Sequence, residues 1–207
     1  MRNVLFGLAI ATTCASVPAR AVPAIEALPG VIGQTKGDRA CYLRVYDAAH
    51  LAANPRQRTT SLRISFRREN WPDAAPEAGS QNRIRIEAAR RGVKEPLRAI
   101  GDCRYRADAN QDVQGRRRIR SAPVAPGIVC SIKGDATDEE SGTEPVLVVS
   151  GDVLTMHMQD SLPMRRNRQL SDGPSQEIAF AGADAVFRLQ RIADRDCDAL
   201  DAAIVAE

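Results

Sequence analysis

Beyond residue 38, apolar side chains recur at every second position, and this period of two constrains the 207-residue chain more than any other feature. Leu62, Ile64 and Phe66 alternate with Arg63, Ser65 and Arg67, and Ile84 and Ile86 alternate with Arg83, Arg85 and Glu87. Cys103 and Tyr105 alternate with Arg104 and Arg106. Ile128, Cys130 and Ile132 share one face, as do Leu154, Met156 and Met158. Successive side chains of a strand point to opposite faces, so the pattern predicts strands with one packed and one wet face. Apolar runs at 40–46, 144–150, 177–180 and 185–192 bring the expected number to about nine. Ser150-Gly151-Asp152 between two such runs predicts a tight hairpin. Many short strands joined locally predict a mainly β fold, an antiparallel meander closed as a small lipocalin-like β-barrel or folded into a sandwich. Helix is confined to a turn or two at 47–53 and a short C-terminal helix within 194–206, with Leu200, Ala203 and Ile204 inward.

Residues 1–21 read as a signal peptide. Met1-Arg2-Asn3 is a basic start, Val4 to Ile10 an apolar run, and Ala19-Arg20-Ala21 a small-residue site with cleavage after Ala21. The apolar run is shorter than the roughly 20 residues that cross a bilayer, and no later stretch is longer, so no transmembrane segment is expected. The alternative makes Cys14 the lipidated first residue of a lipoprotein. Ala11-Thr12-Thr13 disfavours it, because a Leu-like residue followed by small ones belongs there. Residues 22–38, with Pro23, Pro29, Gly30, Gly33 and Gly37, read as a flexible N-terminal segment, and 39–207 as a single β-rich domain. The expected location is periplasmic or secreted.

Five cysteines become four without the leader: Cys41, Cys103, Cys130 and Cys197. An even count in an oxidising compartment predicts two disulfides, and no two of the four have the short spacing of a zinc finger. Three connectivities are open. Closure of the sheet makes its first and last strands neighbours, which favours Cys41 with Cys197 and leaves Cys103 to meet Cys130.

The whole chain carries a formal net charge of +3, which falls to +1 without Arg2 and Arg20. That small excess hides an asymmetry of +9 over residues 22–120 and −8 over 121–207. Arg67-Arg68, Arg90-Arg91 and Arg116-Arg117-Arg118 are the candidate basic patch, which would suit an anionic protein or envelope partner. The alternative is self-neutralisation across the folded sheet, each exposed pair contributing about 0.2–1 kcal/mol. Export, near-neutral mature charge and 4% aromatic residues argue against nucleic acid.

No catalytic constellation stands out. Asp47 and His50 are three apart, a spacing that on a helical turn suits an ion pair or, less readily, a base with its orienter or a metal site. His157, between Met156 and Met158, points away from the core face. The Gly-x-Ser-x-Gly elbow and phosphate-cradling glycine loops are missing, and the acidic stretch 134–142 lacks the order of an EF-hand, so it reads as a solvated loop without calcium. The sequence nominates no catalytic residue, metal or cofactor.

The stretch Cys41-Tyr42-Leu43-Arg44-Val45-Tyr46-Asp47-Ala48-Ala49-His50-Leu51, with Asn54-Pro55 and the strand at 61–66, resembles small exported bacterial β-rich proteins of unassigned function. The resemblance implies an exported β fold and carries no site residues. The leading expectation is a non-enzymatic periplasmic binding or inhibitor-like module that binds through loops or an open mouth. Its rivals are a carboxylate-dependent hydrolase and an envelope-associated structural protein using a basic Arg-rich face.

Overall fold

A computed structural model describes residues 28–33, 37–70, 80–112, 114–132, 143–159, 161–166 and 176–204. The predicted leader with Cys14 and the acidic stretch 134–142 lie outside them. The alternating segments form β1 (Arg39–Val45), β2 (Thr59–Asn70), β3 (Ser80–Arg90), β4 (Leu97–Arg106), β5 (Gly127–Ile132), β6 (Val146–Ser150), β7 (Val153–His157) and β10 (Val186–Ile192). These eight close into a barrel in the order β1-β10-β7-β6-β5-β4-β3-β2, and β8 (Ser161–Met164) pairs with β9 (Gln176–Ala179) as a separate hairpin. All neighbours are antiparallel, so the chain meanders around the ring and leaves it once, between β7 and β10. Barrel rather than sandwich is decided by β1 and β10, which pair at Cys41↔Ile192, Tyr42↔Arg191 and Leu43↔Gln190.

The inward faces follow the period of two. Ile64, Phe66, Ile84, Ile86, Ile132, Leu147, Leu154, Met156, Phe187 and Leu189 are wholly buried in one cluster. An eight-stranded barrel is just wide enough to be filled by its own side chains, and this one is filled. Where β4 meets β5, a Cβ on Gly101 would lie 2.3 Å from the Ser131 carbonyl oxygen, so that approach requires glycine. Gly151 has φ +58° at the first position of the two-residue loop joining β6 to β7, the place where such a hairpin calls for glycine.

Both ends of the barrel are covered, which corrects the expectation of an open mouth. At one end Leu28, Val31 and Ile32 enter the core cluster, and Leu28 bridges Ile32. Arg191 and Arg68 donate to the Val31 and Gly33 carbonyls at 3.3 and 3.1 Å. This part of the segment expected to be flexible is thus held in place; its three apolar side chains sit among glycines and a proline, and the composition masked them. At the other end Met158, Leu162, Met164 and Phe180 complete the core, and Arg98 and Arg165 exchange backbone hydrogen bonds of 2.7 and 2.8 Å that fasten β8 to β4. No strand is predicted at β8, because Pro163 breaks the pattern; proline is tolerated there because the two-stranded sheet is all edge.

The two helical stretches fall where expected. Asp47 caps α1 (Ala48–Ala53), its Oδ1 accepting from the His50 N–H at 2.7 Å. A 3₁₀ turn, Asp194–Cys197, runs into α2 (Asp198–Ala203), which buries Leu200 and then Ile204, while Ala203 stays partly exposed. Cys197 is bonded to Cys41 with Cα atoms 5.8 Å apart, and Cys103 to its cross-strand partner Cys130 at 4.0 Å, the connectivity that barrel closure favoured. Among the described residues no helix is long and apolar enough to cross a membrane.

One outer face is dry where alternation predicts water. Val129 and Val146 are covered by Ala109, Ile119 and Ala122 of the β4–β5 connection. That connection is pinned by fully buried Asn110, whose amide donates to the Ile119 and Ala122 carbonyls at 2.8 and 2.7 Å and whose Oδ1 accepts from the Ile119 N–H at 2.8 Å. His157, in register with Val146 and Val186, is also buried on this outer side.

Candidate functional site: a notch between β1 and β10

The main-chain pattern locates a break in the barrel wall. Met158 and Arg191 donate to the Ala185 and Asp152 carbonyls, so odd-numbered residues of β10 bond toward β7 and even-numbered ones face β1. Tyr46 donates to Thr60, so even-numbered residues of β1 bond to β2 and odd-numbered ones face β10. The next pair after Leu43↔Gln190 would be Val45 with Arg188, yet the pairing stops at Leu43. Beyond that fork the strands part.

The far end of the opening is closed by Asp184 in the 3₁₀ turn Gly182–Asp184. Its buried carboxylate accepts from the Arg58 N–H at 2.9 Å and the Thr59 N–H at 3.3 Å, tying the start of β10 to the start of β2 past the end of β1. The result is a bounded notch of about 490 Å³ that opens to solvent, within the usual range for small-ligand sites. Arg44 and Tyr46 line it from β1, His50 and Asn54 from α1 and its C-cap, Gln57 from the loop into β2, and Ala183, Val186, Arg188 and Gln190 from β10 and the turn before it.

These side chains are organised. Gln57 is buried and donates through Nε2 to the Thr59 carbonyl at 3.1 Å, which leaves its Oε1 facing His50 Nε2 at 2.9 Å. With Gln57 Oε1 as the acceptor, His50 Nε2 is the donor of this contact. The His50 ring stacks on Tyr46 with centroids 4.7 Å apart, and the Arg44 guanidinium lies 4.7 Å from the Tyr46 ring centre. Burial pushes the Tyr46 hydroxyl above its ordinary pKa, against the opposing pull of Arg44, so at neutral pH it is a hydrogen-bonding phenol. Neither Arg44 nor Arg188 has a carboxylate partner among the described residues, and no carboxylate, serine or cysteine lines the notch. The site presents two guanidinium groups, a phenol, an imidazole and three amides. Such a set has the chemistry to accept an anion, and no pair of carboxylates is among its lining residues.

The residues singled out from the sequence lie elsewhere or play other parts. Asp47 and His50 form neither an ion pair nor a catalytic pair, since the carboxylate caps the helix while the imidazole turns to Gln57. The candidate basic patch is divided. Arg67 is outward on β2 near Glu69, whereas Arg68 points inward at the covered end. Arg90 and Arg91 are at the opposite end of β3 from Arg83, the cross-strand neighbour of Arg67, a separation of about 23 Å at roughly 3.3 Å per residue. Arg90 lies over Phe180, and Arg91 donates to the Leu51 and Asn54 carbonyls. Arg116 pairs with Asp112, Arg117 is exposed, and Arg118 pairs with Glu144, all in or beside the β4–β5 connection. Self-neutralisation across strands is extensive: Glu87 lies between Arg63 and Arg98 at 3.4 and 2.8 Å, Arg83 meets Asp102 at 3.3 Å, and Arg85 meets Glu69 at 2.6 Å. The acidic half contributes Asp198 to Arg39 and Glu144 to Arg104.

Among the described residues no group of three or more His, Cys, Asp and Glu side chains could hold a metal ion. Sequence reasoning missed Arg44, Tyr46, Asn54, Gln57, Arg188 and Gln190. Three notch residues, Arg44, Tyr46 and His50, fall inside the stretch 41–51 that carries the resemblance; the rest sit in strand or loop positions with no local signature. The fold and site thus define a filled, disulfide-braced antiparallel β-barrel with a lateral cationic notch. Compared with family models, curated proteins and solved structures, the chain matches none.

Proposed function

We propose that this protein is an exported binding module that holds an anionic ligand in the β1–β10 notch and performs no covalent chemistry. The observation that carries the reading is that Arg44 and Arg188, neither with a carboxylate partner among the described residues, both line a concave site whose bounding carboxylate, Asp184, is already held by the Arg58 and Thr59 N–H groups, on a molecule whose strands otherwise match many of their arginines with acids. Two unmatched guanidinium groups favour an anion, and planar forked donors suit a carboxylate or phosphate. Tyr46, His50 and the amides of Asn54, Gln57 and Gln190 add neutral donors and acceptors that would orient it. Export is supported by the basic start, apolar run and small-residue site of residues 1–21 and by the two disulfides.

Thermal melting in a panel of sodium carboxylates and phosphate, against sodium chloride of equal ionic strength, tests the reading. An anion at a hundred times its Kd would stabilise by about 2.7 kcal/mol, a rise of roughly 5–10 °C for a chain of this size. The rise should be lost in Arg44→Gln and Arg188→Gln. If no anion raises the melting temperature above the chloride control, the proposal fails.

A further inference from the structure

We infer that the occupant of the notch is the C-terminal end of an extended peptide, added as a short strand along β10 with its terminal carboxylate held by Arg44 and Arg188. The inference rests on the anion-binding reading and names the class of partner. Three observations lead to it. First, the main-chain groups of Val186 and Arg188 face the opening, on the side where Gln190 and Ile192 pair with β1, and their own pairing is missing. A small acid would leave that row of donors and acceptors unused, whereas an extended peptide pairs with it directly. Second, apolar Val45, 61% exposed on β1, and Val186 flank the gap, where a peptide's alternate side chains would rest. Third, the notch is bounded, by the Leu43↔Gln190 fork at one end and by the Asp184 bonds to Arg58 and Thr59 at the other. Only Val186–Leu189 of β10 are left without a partner on the β1 side, a length of about 13 Å at roughly 3.3 Å per residue. A continuous segment would have to run over the Asp184 clamp, so a chain end fits where a mid-chain segment does not. Of the two chain ends, the guanidinium groups select the carboxylate and repel the ammonium.

The test uses the oxidised full-length protein and two pools of N-acetylated tetrapeptides, random at all four positions, one with free carboxyl termini and one amidated. Sodium propionate is the small-acid control, and binding is followed through backbone amide chemical shifts. The free-acid pool should shift the amides of Val45, Val186 and Arg188 and slow exchange at Val186 and Arg188, which propionate cannot do. Amidation should weaken binding at least tenfold. Arg188→Gln, an exposed side chain whose loss should leave the melting temperature unchanged, should weaken the free-acid pool to the same extent and the amidated pool little. If propionate shifts notch amides but the acid pool binds no better than propionate or no better than the amidated pool, the peptide inference is overturned while the anion reading stands. If neither the pools nor propionate shifts any notch amide, the peptide inference is overturned, and if inorganic phosphate shifts none either the anion reading falls with it.

Discussion

His157 is buried on the outside of the barrel, and its Nδ1 has no hydrogen-bond partner among the described residues. Burial alone pushes its pKa below the ordinary histidine value, because the imidazolium would lose its hydration there. The unfolded chain therefore takes up this proton near pH 6.5, and the folded chain only at lower pH. Between those values the unfolded state binds more protons, so stability falls as pH drops below about 6.5 and the loss levels off below the folded-state pKa. His157→Leu is expected to flatten the fall in melting temperature between pH 7.5 and 5. Equal slopes in the two proteins would show that His157 is not the group responsible. His50 contrasts with it in position, since its ring is stacked on Tyr46 and its Nε2–H is engaged by Gln57. The two histidines of the chain thus differ through their neighbours, which no local pattern around either residue reveals.

The strands and their ties show how far local pattern reaches. The period of two placed the inward residues of β2, β3, β5 and β7, because burial on one face of a strand leaves its mark within the strand itself. It missed β8, where Pro163 interrupts the run, and it misread 28–33, where Leu28, Val31 and Ile32 gain their meaning from the barrel end they cover. It also missed the notch, since a strand that loses its neighbour halfway along reads the same as one that keeps it. Disulfide pairing was legible only through closure. Cys41–Cys197 spans 156 residues and Cys103–Cys130 spans 27, so chain entropy assigns them about 5 and about 3.5 kcal/mol before strain. All four cysteines are buried, so truncation to alanine adds a similar cavity cost at each pair. Denaturant titration should therefore find the Cys41→Ala/Cys197→Ala protein less stable than Cys103→Ala/Cys130→Ala by about 1–2 kcal/mol. The reverse order would contradict the entropic account.

The whole molecule is a barrel filled by its own side chains, covered at both ends, and closed through a single short ladder between its first and last strands. The cross-strand ion pairs join arginines and acids of the basic half to one another, and Asp198, Asp201 and Glu144 of the acidic half add pairs to Arg39, Arg85, Arg104 and Arg118. What these pairs leave unmatched includes Arg44 and Arg188, on either side of the place where the wall parts. Among the described residues the interior is filled by packed side chains, and the notch proposed for recognition lies in the side of the barrel rather than at its mouth. The measurement that tests this most directly is backbone amide exchange of the free protein, residue by residue along β10. The odd-numbered amides bonded to β7, with those of Gln190 and Ile192 facing β1, should exchange slowly, while Val186 and Arg188 should exchange like loop amides. If Val186 and Arg188 are as protected as Gln190 and Ile192, the β1–β10 ladder runs on past Leu43, the notch does not exist, and the binding account falls with it.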